Sequence, residues 1–255
     1  LEAIEEYVDL KTYLKNGHIS PTGEKYLDKV KEDYGHIYID DIPTDFRELV
    51  KESSPDSWKN STINKLLTDV QSAVNHQLKK LKKNKISIEK FKEAEVKIEY
   101  HTKEEFEILL KHSEKLDRFL TFLYYTGCRR IEAFNLNWKD INFSKNEIAI
   151  YMPKVFKYKY IPIHPELKKV LGEKKNGSVF GYKDFSSIKR TWKRMVKNSG
   201  IYSTPHMFRH SFATNLIAHT DMKTVMNLGG WATEKSLIRY LKVVDKRKNL
   251  AIENL

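Results

Sequence analysis

Six side chains spread over the C-terminal half of this chain are of the kinds that handle a phosphodiester. Arg129 follows Thr126-Gly127-Cys128, Lys154 opens a basic turn between two alternating apolar stretches, His206 and Arg209 form His-x-x-Arg, and Trp231 precedes Tyr240 by nine residues. Guanidiniums grip phosphate oxygens two at a time, an ammonium or imidazole moves protons, and an indole N–H donates a hydrogen bond. The phenol of Tyr240 is then a nucleophile that can attack phosphorus. Each residue also has a plainer reading. His206 can be a satisfied core histidine, Arg209 a structural ion-pair partner, and Arg129 one half of a pair with Glu132 three residues on. Cys128 reads as packing, since nothing in the sequence pairs it with a base.

These groups need elements to hold them. Thr204-Pro205 reads as a cap and first turn, so His206, Arg209 and His210 fall at i, i+3 and i+4 on one helix face. Phe208, Phe212 and Leu216 form the adjoining apolar stripe. His101 to Glu105 reads as a capping box that opens a helix. Gly127 reads as a left-handed cap that ends the helix carrying Leu116, Phe119, Leu120 and Leu123. Another short helix follows, with Ile131, Ala133, Phe134 and Leu136. Ile148, Ile150 and Met152 alternate, as do Lys159, Ile161 and Ile163, which predicts an antiparallel hairpin. After Pro165 the pattern is helical to the end.

The first 95 residues read as helices. They run through Ile4–Leu14, from Ser20-Pro21 to Tyr34, a short one carrying Phe46 and Leu49, and a long one capped by Ser61 with Ile63, Leu66, Leu67, Val70, Val74 and Leu78 on one face. The period fades from Phe91 to Tyr100, as in a linker. The reading is therefore mainly α with a small antiparallel β-sheet, in two domains, 1–95 and 96–255.

Charge divides the same way. Of 46 Lys and Arg and 34 Asp and Glu, residues 1–100 hold 17 and 19, and residues 101–255 hold 29 and 15. The net charge of +12 is thus an excess of 14 positive charges in the second part against 2 negative in the first. Such an excess suits a polyanion, with solubility as the plainer explanation. The Lys79–Lys85 run is either a phosphate contact or a solvated helix end. No apolar run reaches the length of a membrane span. The N-terminus lacks a basic-then-apolar leader and reads as trimmed. A single cysteine suits a reducing compartment. There is no Walker loop and no acidic triad for divalent ions, so no cofactor is expected.

Thr126-Gly127-Cys128-Arg129-Arg130-Ile131-Glu132, the hairpin Lys154 to Ile161-Pro162-Ile163, His206 to Thr214, and Leu228-Gly229-Gly230-Trp231 with Tyr240 resemble, in order and spacing, the tyrosine recombinases (the lambda-integrase, Xer and Cre family). The resemblance implies a DNA breaking-rejoining catalytic domain over 96–255, preceded by a helical core-binding domain. It implies Arg129, Lys154, His206, Arg209, Trp231 and Tyr240 as catalytic residues, with Glu132 and His210 in support. Lys154 is preferred over Lys157 and Lys159 because it lies eight residues before Pro162. On this reading His206 assists the tyrosine proton, Lys154 protonates the leaving 5′ oxygen, and a 3′-phosphotyrosyl enzyme forms without metal or ATP. The implied partner is double-stranded DNA, bound by a homotetramer in the cytoplasm of a prokaryote or archaeon, or encoded by a mobile element. The tail beyond Tyr240 packs either on a neighbour or on its own domain. A type IB topoisomerase and a non-catalytic DNA-binding relative are the alternatives.

Overall fold

The computed structural model describes residues 21–95 and 97–241, and the chain divides into two compact units, Leu1–Val96 and Lys97–Leu255. The expected Ile4–Leu14 helix and the tail after Leu241 lie outside the described residues.

In the first unit α1 (Pro21–Tyr34) and α2 (Phe46–Glu52) pack on α3 (Asn60–Lys80). Val30, Phe46, Val50 and the α3 stripe of Ile63, Leu66, Leu67, Val70, Val74 and Leu78 form its core. The Tyr34 hydroxyl donates to the Leu49 carbonyl at 2.6 Å, tying α1 to α2. α3 begins at Asn60, one residue before the expected Ser61 cap, and Lys59 occupies the cap position with no side-chain capping bond. Past α3 the chain returns along it as an extended strap. Asn75 pairs both ways with the Ile86 backbone, Gln71 accepts from Ile88 N–H, and Asn64 pairs both ways with Phe91. Three amide side chains thus satisfy backbone groups that have no strand partner.

The second unit opens with α4 (Lys103–Lys111), where Thr102 and Glu105 close a reciprocal capping box. α5 (Asp117–Thr126) is buried around most of its circumference and ends at Gly127 with φ +56°. The short α6 (Arg130–Phe134) follows. β1 (Ile141–Asn142), β2 (Glu147–Met152) and β3 (Lys157–Pro162) form an antiparallel sheet in that order. Ile148 opposes Ile161 and Ile150 opposes Lys159, so the buried face carries a lysine among aliphatics.

Helices α7 (Pro165–Leu171), α8 (Lys189–Ser199), α9 (Pro205–Ile217) and α10 (Met222–Gly229) complete the described part, with a further helical segment over 235–241. Two features differ from expectation. A third strand, β1, extends the hairpin, and its two residues are too few to show a period. Residues 172–188 are largely non-helical, closed by a bridge between Asn137 and Ser178 and one 3-10 turn. Central α5 packs against α9 and α7, and α10 packs on α9 and β3. This brings the C-terminal ends of α5 and α10, the N-terminus of α6 and the exposed side of α9 to one place.

Candidate active site

The site is built around Arg209, which is 2% exposed although it carries a charge. Its Nη1 donates to two carbonyls at 2.7 Å, Gly127 at the end of α5 and Gly229 at the end of α10. Helix C-termini carry partial negative charge, so both suit a guanidinium. The Nη2 atom is buried and has no acceptor among the described residues. Trp231 lies across the guanidinium, with Cζ 3.8 Å from the ring centroid, a cation–π contact. Burial first, and then Arg129, lower the Arg209 pKa to about 10, so the group stays charged at neutral pH.

Glycines make that geometry possible. A Cβ on Gly127 would collide with the Phe212 ring, and one on Gly229 with the Trp231 ring. Gly230 has φ +70° and sits against Met152 and Lys159. The Gly229-Gly230 pair therefore lets the chain end α10 and fold Trp231 back over Arg209.

Arg129 stands at the N-terminal edge of α6. Its Nη1 donates to Glu132 Oε1 at 2.7 Å, and its own N–H to Glu132 Oε2 at 2.9 Å. Glu132 is itself buried, and its Oε2 lies 3.5 Å from Lys159 Nζ. Lys159, with 2% of its side chain exposed, donates to the Gly229 carbonyl at 3.2 Å. Burial lowers its pKa, while Cys128 and Glu132 oppose that effect. One chain of contacts thus runs Arg129, Glu132, Lys159, Gly229 carbonyl, Arg209, and fixes the two arginines relative to each other. Cys128 is fully buried and its pKa is pushed up to about 11, which makes it inert as a nucleophile.

Lys154 is elsewhere. It occupies the exposed turn between β2 and β3, with no ion pair or hydrogen bond among the described residues. Lys159 is the hairpin lysine inside the cluster. Its place in the alternating Lys159, Ile161, Ile163 pattern was the signal that it points inward.

Tyr240 is 1% exposed, and its ring lies 6.1 Å from Trp231 and 5.5 Å from His210. Its hydroxyl is 2.6 Å from His210 Nδ1. Burial raises the tyrosine pKa, with Arg239 and Arg209 pulling the other way. His210 is held down to about 4 by burial, then by His206, Arg239 and Arg209. His206 meets His210 edge-on with centroids 4.5 Å apart, and its pKa is lowered by partial burial and by Arg209, Arg239 and Arg129. The structure therefore brings together Arg209, Trp231, His206, His210 and Tyr240, with Arg129 joined to them through Glu132 and Lys159. Of the two histidines, His210 rather than His206 contacts the tyrosine hydroxyl.

Residues 99–247 match the model of the phage integrase family. Tyrosine recombinase XerA of Pyrococcus horikoshii is 33% identical over 149 residues, covering 52% of each chain. The chain thus spans about half the length of the curated relatives it matches. In fold it is similar to the Tn1549 transposon integrase solved with transposon right end DNA, with TM-score 0.74 at 17% identity over 98% of this chain and 99% of that one. It is similar also to a lambda integrase tetramer bound to a Holliday junction, with TM-score 0.70 at 14% identity over 93% and 76%. With the family model covering more than half its length, the chain belongs to the phage integrase family.

Proposed function

We propose that this protein is a tyrosine site-specific recombinase that cuts and rejoins DNA strands through a 3′-phosphotyrosyl intermediate. The observation that carries the proposal is the buried Tyr240 within one cluster with Arg209, whose Nη2 is unsatisfied, and with Trp231 folded over that guanidinium. A buried guanidinium N–H without an acceptor favours an anion, and a DNA phosphate supplies one.

In this reading Arg209 and Arg129 clamp the non-bridging oxygens and neutralise charge that grows as phosphorus becomes five-coordinate. Trp231 N–H and His206 are further donors at the same phosphate. Lys154, at the tip of an exposed hairpin, reaches the leaving 5′ oxygen once the hairpin lies on DNA and gives it a proton. Glu132 holds Arg129 in place. The ester to Tyr240 conserves the energy of the broken linkage, so an incoming 5′-hydroxyl can reseal the strand without ATP. The charge is met by guanidiniums, so the step calls for no metal ion. The first unit serves as a core-binding domain over 1–95, and the catalytic domain spans 96–255. Exchange between two duplexes takes four copies of the chain, the stoichiometry named for the lambda integrase assembly. Such a substrate places the protein with DNA in a prokaryotic or archaeal cytoplasm.

The test is a selection. The full chain is incubated, with EDTA present, with a duplex library of random core sequence carrying nicks that let the short cleaved strand diffuse away. Protein–DNA adducts that survive denaturant are recovered and sequenced. The proposal expects adducts on a restricted set of sequences, and none with Tyr240→Phe, although that variant still binds DNA. Adducts undiminished in Tyr240→Phe, or dependent on a divalent ion, overturn it.

A further inference from the structure

We propose that His210 accepts the Tyr240 proton as the tyrosine oxygen bonds to phosphorus. This deepens the recombinase reading and rests on it.

Four observations converge. The His210 Nδ1 to Tyr240 Oη separation of 2.6 Å is already that of a strong hydrogen bond along which a proton can move. Tyr240 is 1% exposed, and His210 Nδ1 is the side-chain nitrogen in hydrogen-bond contact with its hydroxyl, so it is the nearest base for the proton. His206 touches the His210 ring rather than the hydroxyl, which leaves it free to donate to phosphate. Arg209 acts electrostatically on both His210 and Tyr240, so a phosphate held by its guanidinium lies within the field of the imidazole.

The charges around His210 give the step an order. From α9 it faces His206 and Arg209, and from the 235–241 segment Arg239 and the tyrosine itself. Burial, and then His206 and the Arg239 and Arg209 guanidiniums, keep the imidazole neutral without DNA, and in the tautomer protonated at Nε2 its Nδ1 lone pair accepts from the hydroxyl. A DNA phosphate arriving between the guanidiniums brings negative charge next to the imidazole and favours its protonated form. The tyrosine is therefore deprotonated only when a phosphate is present to receive its attack.

The step balances. The Oη–H bond breaks and the proton goes to Nδ1, while the Oη–P bond forms. The P–O5′ bond breaks with its electron pair on O5′, which takes a proton from the Lys154 ammonium. In resealing, the incoming 5′-hydroxyl returns a proton to Lys154, and the departing tyrosine oxygen recovers its own from His210.

The experiment uses the duplex recovered by the selection above, made with oxygen or with sulfur at the bridging 5′ position. Sulfur leaves without protonation. In single-turnover reactions of the full chain, Lys154→Ala is slow with oxygen and recovers with sulfur. His210→Asn keeps an acceptor near the Nδ1 position but cannot take a proton, and His210→Gln serves if the first variant folds poorly. Either is expected to form adduct about 10²–10⁴-fold more slowly on both duplexes, with unchanged DNA binding and a rate that climbs with pH as hydroxide replaces the lost base. The wild-type chain gives a second reading. On the sulfur duplex the tyrosine proton is the only one in flight, and a normal solvent deuterium isotope effect is expected. Wild-type or faster cleavage by the His210 variants, their recovery with sulfur, or no isotope effect overturns the proposal while leaving the recombinase reading intact. Absence of any wild-type adduct overturns both.

Discussion

Replacing Glu132 with alanine tests the contact chain that fixes the two arginines. Glu132 is buried and meets three donors: Arg129 Nη1, Arg129 N–H and Lys159 Nζ. Without it, Lys159 keeps only the Gly229 carbonyl and stays within the field of Arg209. Removing one partner of a buried ion pair typically costs about 3–5 kcal/mol, because the other charge is left uncompensated. For a unit of this size each kcal/mol lowers Tm by roughly 2–4 °C, so a fall of about 6–20 °C is expected. Lys159→Met should cost less than Glu132→Ala, because Glu132 retains Arg129. The double variant should fall short of the sum of the two by about 1–3 kcal/mol, since neither charge is then stranded. Urea unfolding followed by tryptophan fluorescence measures all three, with Trp138, Trp192 and Trp231 in the affected unit. A Glu132→Ala loss under about 1 kcal/mol, or additive single effects, would show that the buried pair does not organise the site.

Other expectations follow from single features. Gly127→Ala should destabilise by about 2–5 kcal/mol, combining left-handed strain with displacement of Phe212; a change inside measurement error in urea melts would contradict the packing. His101 is buried against Phe208 and Ser203, and its pKa is lowered to about 4. Its contribution is complete above the unfolded value near 6.5 and is lost as pH falls through 4, a drop of about 3 kcal/mol. Comparing wild type with His101→Gln across pH 7 to 4 isolates it, and parallel stability curves would contradict it. Arg209→Ala should slow adduct formation about 10²–10³-fold. Arg209→Lys should not restore the rate, because an ammonium cannot span two carbonyls and a phosphate; full rescue by lysine would remove the bidentate argument.

Much of the fold is written in local signals. Thr102 with Glu105, Gly127 after Thr126, and Thr204-Pro205 each mark a helix end through a side-chain or backbone preference that acts within a few residues. The apolar stripe of α3 and the alternation of β2 are legible for the same reason. The non-helical stretch 172–188 was not, because it is held by distant groups, as where Trp138 N–H donates to the Gly177 carbonyl. The strap over 86–91 likewise depends on amides up to 27 residues away. In the site, helical spacing puts His206, Arg209 and His210 on one face. It cannot say which imidazole meets a tyrosine 30 residues later. Lys159 was visible as a lysine in a buried register, but spacing to Pro162 favoured Lys154, and only tertiary packing shows Lys159 against Glu132 and Gly229.

In the proposed reaction the Tyr240 oxygen is the atom that becomes joined to DNA. Digesting the denaturant-resistant adduct with protease and nuclease and sequencing the peptide by mass spectrometry reads that atom's neighbourhood directly. The expected product is the Tyr240 peptide carrying a 3′-linked nucleotide, with a free 5′-hydroxyl on the released strand. A nucleotide on another residue, or one linked through its 5′ phosphate, would contradict it.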